Sequence, residues 1–267
     1  MPLHLLWATD IHLNHTDRAG RAAFLQAARA HNPNGLLLSG DIAEAPTLER
    51  CLHFIEKALA CPIYFVLGNH DFYRGSIAGV RATVRRLVHE TPRLHWLNDA
   101  GVLPLTDNTA LIGHDSWADG RLGDFHASPI ELNDFHHIEE LTTLHKPTRL
   151  TQMQTLADEA AAHFNAVLPH ALKHHRHVIA VTHVPPFREA CQRNGHIWNA
   201  DWLPFFACKA VGEVLKTTMK AHPHHQLTVL CGHTHHATEV DILPNLKVFT
   251  GAAEYRHPQP QKLLEIP

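Results

Sequence analysis

Leu36-Leu37-Leu38-Ser39-Gly40-Asp41 is a short apolar run that stops at a glycine and a carboxylate. Without polar alternation, such a run fits a strand buried on both faces, as in parallel sheets covered by helices. The same pattern recurs on either side of it. Leu3-His4-Leu5-Leu6-Trp7-Ala8, part of a strand-like run over 3–9, leads to Asp10-Ile11-His12. The run at 62–67 leads to Gly68-Asn69-His70-Asp71. Helical patterns lie between and after these runs, near 19–31, 46–60 and 76–89. This alternation predicts βαβ units and a mostly parallel sheet, with ligands gathered at the C-terminal ends of the strands.

The middle of the chain is less regular. Strands are expected at 94–97 and 102–112, followed by the polar, turn-rich Gly113-His114-Asp115-Ser116-Trp117-Ala118-Asp119-Gly120-Arg121. Apolar residues from Leu150 to Ala171 recur every three or four positions and predict a long helix over 149–174. The apolar strand Val178-Ile179-Ala180-Val181-Thr182 then ends at His183-Val184-Pro185-Pro186. An irregular loop is expected over 187–203, a helix over 204–221, and strands at 226–231, 237–243 and 246–250. Gly232-His233-Thr234-His235 closes the first of these three strands. With no internal repeat, low-complexity tract or linker, one domain over 1–267 is expected.

Composition narrows the function. Hydrophobic residues make up 45% of the chain and charged ones 18%, below the usual ~25%, so a packed core is expected. A net charge of -3 gives no bulk attraction to nucleic acid or anionic membrane, and Lys/Arg runs are lacking. No apolar stretch approaches the ~20 residues that span a bilayer. The start shows no basic leader or small-residue cleavage site, which points to the cytoplasm. The five cysteines, at 51, 61, 191, 208 and 231, lack Cys-x-x-Cys spacing and read as reduced, mostly buried thiols.

The strand-end motifs carry the chemistry. Carboxylates, an amide and imidazoles together form a ligand set large enough for two metal ions. Such sites serve in-line displacement at phosphorus. With 27 His in the chain, no single histidine is informative, and the joint order and placement carry the weight. Asp10 and His12, two apart, would project to one side of an extended chain. His233 and His235 would stand ~7 Å apart on such a chain, one toward each ion. Imidazole mixed with carboxylate favours Mn, Fe, Zn or Co over Ca or Mg.

From Asp10 to His235 these motifs resemble the calcineurin-like metallophosphoesterase superfamily, with Gly-Asn-His-Asp and Gly-His-Thr-His the most specific parts. The likeness is to its bacterial phosphodiesterase and small phosphohydrolase branches. The resemblance implies an α/β fold, a four-layer αββα sandwich with two mixed sheets and the metal site at strand C-terminal ends. It implies two divalent or trivalent transition-metal ions, Mn or Fe foremost and Zn or Co next. The first would be held by Asp10, His12 and His235, and the second by Asn69, His183 and His233. Asp41 would bridge them. His70 would contact the phosphoryl group and protonate the departing oxygen. The implied reaction is hydrolysis of a small phosphomonoester or phosphodiester by a metal-bridging hydroxide.

Ile42-Ala43-Glu44 replaces the Asp-Arg-Gly region of protein Ser/Thr phosphatases, so that subgroup is disfavoured. A nuclease of the superfamily, a catalytically silent binding module on the same fold and a histidine-rich metal buffer are the alternative readings. Tyr73, Arg74, Trp117 and Arg121 are candidate substrate contacts, since they follow the motifs or lie in the polar loop. For Arg121 and Trp117 the structural alternative is a loop ion pair with Asp119 or Asp124 and a place in the core. Asp71 reads as a loop anchor or as an orienter of His70. His136-His137, His174-His175 and His224-His225 read as solvated, and His236 as turned away from His235. Oligomeric state is left open.

Overall fold

The computed structural model describes residues 2–267. Its first sheet contains β1 (Leu3–Ala8), β2 (Gly35–Ser39), β3 (Ile63–Val66) and β4 (Leu94–Trp96), all parallel. The second contains β5 (Leu103–Pro104), β6 (Thr109–Gly113) and β7 (His177–Val181). A small hairpin, β8 (Gln192–Arg193) with β9 (His196–Ile197), follows. β10 (Gln226–Cys231), β11 (Thr238–Leu243) and β12 (Leu246–Thr250) then complete the second sheet, in the order β11-β12-β10-β7-β6-β5. β13 (Pro260–Ile266) returns to the first sheet, antiparallel to β1, giving β13-β1-β2-β3-β4.

Period-two geometry makes this a sandwich. Successive side chains of a strand point to opposite faces. Leu5, Trp7, Leu37 and Val66 of the first sheet meet Leu111, Ile179, Val181 and Leu230 of the second in one core between the sheets. Their neighbours Leu6, Ala8, Leu36, Leu38 and Phe65, and Ala110, Ile112, Val178, Ala180 and Val229, belong to the larger core that includes the helices. The helices Arg18–Ala30, Ala45–Leu59 and Ile77–Glu90 supply Phe24, Leu52 and Val84 to it. Lys146–Leu172 and Lys209–Ala221 supply Phe164 and Leu215. Every central strand is thus covered on both faces, the reason its sequence shows no polar alternation. Two mixed sheets and their flanking helices form the layers that the resemblance implied.

Several expected elements change on folding. The strand expected over 102–112 is two, β5 and β6, reversed where Leu105 and Thr106 donate to the Thr109 carbonyl. The helix expected over 204–221 divides into a turn, Leu203–Phe206, and Lys209–Ala221. The break falls where Cys208 N–H donates to the Pro185 carbonyl instead of continuing a helical ladder. The 187–203 loop contains the β8–β9 hairpin, turned at Asn194 and Gly195, both in the left-handed region. β13 was not foreseen. Its run Pro260-Gln261-Lys262-Leu263-Leu264-Glu265-Ile266 is half polar, as suits a sheet-edge strand.

Candidate metal centre

The C-terminal ends of β1, β2, β3, β7 and β10 converge at one edge of the sandwich. His183, after β7, reaches across to β2, its Nδ1 lying 2.9 Å from the Ser39 carbonyl. His233, after β10, reaches β1 through its N–H, which donates to Asp10 Oδ1 at 3.1 Å.

The motif residues are not in extended chain. Asp10, His12, Asp41, His233 and His235 all have positive φ, between 39° and 70°. This corrects the extended-chain argument for Asp10 with His12 and for His233 with His235. The strands end at Ala8 and Cys231, and the pairs converge because the backbone turns left-handed at each of these residues. Asp and His tolerate that region better than most side chains, at a cost of ~1–3 kcal/mol each that packing must offset. His236 also lies outside any strand, its ring 5.9 Å from that of Trp198.

Two groups of ligand atoms result. In the first, one ligand atom each from Asp10, His12, Asp41 and His235 lie within 4.8 Å of one another. His12 Nε2 and His235 Nε2 are 3.3 Å apart, and His235 Nε2 is 3.2 Å from Asp10 Oδ1. In the second, Asn69 Oδ1 lies 3.1 Å from His183 Nε2 and 3.0 Å from His233 Nδ1. Asp41 joins them, with Oδ2 3.8 Å from His12 Nε2 and Oδ1 3.5 Å from His183 Nε2.

The donor set fits two cations. Burial holds the His12 imidazole at about 3 and that of His233 at about 4, so both present neutral lone pairs. Burial, reinforced by Asp10, pushes the Asp41 carboxyl upward, so its charge needs a positive partner. Burial also opposes ionisation of Asp10, but the His235 hydrogen bond and nearby imidazoles outweigh it and lower its pKa. Burial likewise opposes a charged His235, and its pairing with Asp10 reverses that and raises its pKa. Close approach of the glycine loops completes the cradle. A Cβ on Gly68 would stand 2.1 Å from Asp41 Oδ1, and one on Gly232 would stand 2.0 Å from Asp10 Oδ2.

Supporting residues hold these ligands in place. Asp134 accepts from Asn69 Nδ2 at 2.7 Å, which aims the amide oxygen at the imidazoles, and from the Tyr73 hydroxyl at 2.6 Å. Thr9 Oγ1 donates to Asp10 Oδ2 at 2.6 Å. Asp71 accepts from the N–H groups of Ile42, Ala43 and Gly68, tying two motif loops together. None of its bonds goes to His70, so it is placed as the loop anchor. Asp134 and Thr9 went unsingled from sequence. Neither sits in a recognisable motif, and Asp134 is 65 residues from Asn69.

His70 lies beside the centre on its open side. Its Nε2 is 3.9 Å from Asp41 Oδ2, its side chain is 16% exposed, and its ring stacks on Tyr73 at 4.2 Å. Burial and the imidazoles of His12 and His183 hold its pKa near 2, so the resting group is neutral. From here a cleft of about 690 Å³ opens, lined by His15, Glu44, Tyr73, Arg74, Tyr255 and Arg256 among others.

The four candidate substrate contacts separate. Arg74 is at the cleft, hydrogen-bonded to Glu44. Tyr73 lines it too, but is buried and committed to Asp134. Trp117 is buried against Phe72, behind Asn69 and His183 rather than in the cleft. Arg121 takes the structural alternative. It pairs with Asp119 and also Asp158 of the long helix, in a separate surface depression with Asn165 and Glu213. Arg121→Ala is therefore expected to lower the melting temperature by ~1–3 °C, as for a partly exposed ion pair. Turnover should not change; a raised KM in steady-state assays would return Arg121 to the substrate site.

His136, His137, His174 and His224 are exposed as expected, His137 also lining the cleft, whereas His175 and His225 are half-buried. The cysteines are free and, except for half-buried Cys61, fully buried.

Solved structures share the fold. A phosphopantetheinyl hydrolase of Mycobacterium tuberculosis superposes with a TM-score of 0.68 at 12% identity, covering 97% of this chain and 95% of that one. A dimetal phosphatase from Danio rerio gives 0.65 at 14% identity, covering 100% and 93%. A protein of Thermus thermophilus gives 0.55 at 13% identity, covering 94% and 90%. No curated protein matches the sequence. The model of the calcineurin-like phosphoesterase family matches residues 3–237, which span every ligand candidate from Asp10 to His235, and the chain belongs to that family.

Proposed function

We propose that this chain hydrolyses a small phosphoester with two transition-metal ions held by Asp10, His12, Asp41, Asn69, His183, His233 and His235. The observation that carries this reading is the division of the Asp41 carboxylate, one oxygen toward each ligand group, directly beside a cleft edged by His70. When bound, such ions supply Lewis acidity at phosphorus and lower the pKa of water toward neutrality. The mixed imidazole and carboxylate donor set favours Mn, Fe, Zn or Co over Ca and Mg, and the family resemblance puts Mn or Fe first among them.

The chain's own residues do the rest. His70 faces the cleft and offers a ring N–H to a phosphoryl or leaving-group oxygen. A docked phosphate brings negative charge that favours the protonated imidazole, opposing the burial that holds it neutral. Tyr73, fixed by Asp134, keeps the His70 ring in place by stacking. The buried cluster excludes bulk water, which strengthens each electrostatic contact.

A small organic substrate suits a cleft of about 690 Å³ on a chain of net charge -3 better than nucleic acid does. No helix among the described residues is long and apolar enough to cross a membrane. We place the reaction in the cytoplasm. The test is a screen of Mn- and Fe-loaded protein against phosphomonoesters, phosphodiesters and cyclic nucleotides. At least one class should turn over, stop on chelation and resume on adding metal. Two tightly bound ions per chain without turnover of any class would favour the silent binding module instead.

A further inference from the structure

The family match ends at residue 237, yet one wall of the cleft comes from the connection between β12 and β13, over 251–259. Among the described residues three large apolar or aromatic side chains are well exposed, Phe54, Ile197 and Tyr255, and of these Tyr255 alone lines the cleft. Its ring stacks on His12 at 4.5 Å and 29° and meets the edge of His15 at 5.6 Å. It lies 5.3 Å from the His235 ring and 6.3 Å from that of His70. Stacking on His12 occupies one face of the phenol. With 43% of the residue still exposed, the opposite face and edge remain to the cleft.

The loop is held in this position. Ala253 N–H donates to the His235 carbonyl at 3.2 Å. Gln261 brackets Ala252, accepting from its N–H and donating to its carbonyl. Arg256, in the left-handed region at φ 72°, turns the chain beside the ring.

We propose that Tyr255 is the platform for a planar leaving group, so that the site selects phosphoesters of aromatic or heteroaromatic-bearing alcohols. The inference rests on the phosphoesterase reading. His70 is the group set to meet the leaving oxygen, and Tyr255 is the first exposed ring beyond it. A leaving group that departs past His70 therefore crosses the Tyr255 face. The 690 Å³ cleft is also far larger than a phosphate alone requires, which calls for an organic portion. Aromatic stacking gives affinity through dispersion and ring electrostatics without fixed hydrogen bonds.

Benzyl and butyl phosphates, as monoesters and as methyl diesters, test this, since their leaving alkoxides are similar in basicity and differ chiefly in the ring. The metal-loaded protein should prefer benzyl by ~10-fold in kcat/KM, the scale of one stacking contact. Tyr255→Ala and Tyr255→Leu should bring the ratio close to one, with Leu retaining an apolar cover over His12. Tyr255→Phe and Tyr255→Trp should keep it. Calorimetric binding of benzylphosphonate against butylphosphonate, which cannot be hydrolysed at their P–C bond, should follow the same order and gives a readout independent of turnover.

A benzyl-to-butyl ratio equal in wild type and Tyr255→Leu, with both ions bound, overturns the proposal and leaves Tyr255 as a cover for His12. Discrimination in phosphonate binding without turnover of any ester would instead overturn the phosphoesterase reading and leave Tyr255 as the platform.

Discussion

Asp41→Asn is expected to empty both metal positions together. Oδ1 is 3.5 Å from His183 Nε2 and Oδ2 is 3.8 Å from His12 Nε2, so one carboxylate serves both ligand groups. The residue is only 1% exposed, and its charge is held there against desolvation. An amide of the same shape keeps the packing but removes the negative charge shared by two cations. Removing even an outer partner of a ligand costs ~10–100-fold in metal affinity, and this change should exceed that. Turnover should fall at least in proportion. Asp10→Asn should weaken mainly the ion shared with His12 and His235. Elemental analysis separates the two variants: two ions per chain in purified Asp41→Asn would sink the bridging assignment.

The same residue predicts a pH dependence. Burial and the neighbouring Asp10 raise the Asp41 pKa, so an incoming cation competes with a proton that binds more tightly than on an ordinary carboxylate. Metal uptake must displace that proton, and apparent affinity in the wild type should therefore rise with pH. Asp41→Asn should lose this part of the dependence, because an amide has no such proton to release. Metal titrations at several pH values read the difference directly.

His70→Ala is expected to do the reverse, keeping both ions while slowing turnover by ~10²-fold, the usual scale of a general acid. His70 lies outside the two groups of closest ligand contacts, and its side chain, 16% exposed, lines the cleft. The ring is therefore free to serve a substrate atom. The loss should be larger for alkyl phosphoesters than for aryl ones, because a poor leaving group depends more on protonation. Equal losses for both would leave His70 as a binder of the phosphoryl oxygens. Metal content measured on the same sample guards against a hidden ligand role.

The fold was largely legible in the sequence because burial on two faces leaves a simple signature. Leu36-Leu37-Leu38 and Val178-Ile179-Ala180-Val181 lack polar alternation, and both are central strands of a covered sheet. Partial exposure erased that signature in β13, whose polar residues hide an edge strand. The 204–221 helix was misjudged because the Cys208-to-Pro185 hydrogen bond that breaks it joins residues far apart in the chain.

The seven ligand candidates were readable because each sits in a short motif at a strand end. Asp134 and Tyr255 were not, since each reaches the site from a distant part of the chain, and Thr9 was not, since nothing local marks its hydroxyl as a donor to the adjacent Asp10. Arg121 and Trp117 looked like substrate contacts in a polar loop. Only packing showed that Asp158 takes the first and the core behind Asn69 takes the second.

By itself, then, the sequence determined the residue chemistry, the order of strands and helices, and the strand ends where ligands would gather, all properties carried by local pattern. The tertiary structure alone decided how those ends meet. Left-handed turns, rather than extended alternation, bring Asp10 to His12 and His233 to His235, and Asp41 divides its oxygens between two groups. A loop beyond the family match sets the cleft wall. Such outcomes depend on contacts between residues far apart in the chain, and no local pattern encodes them.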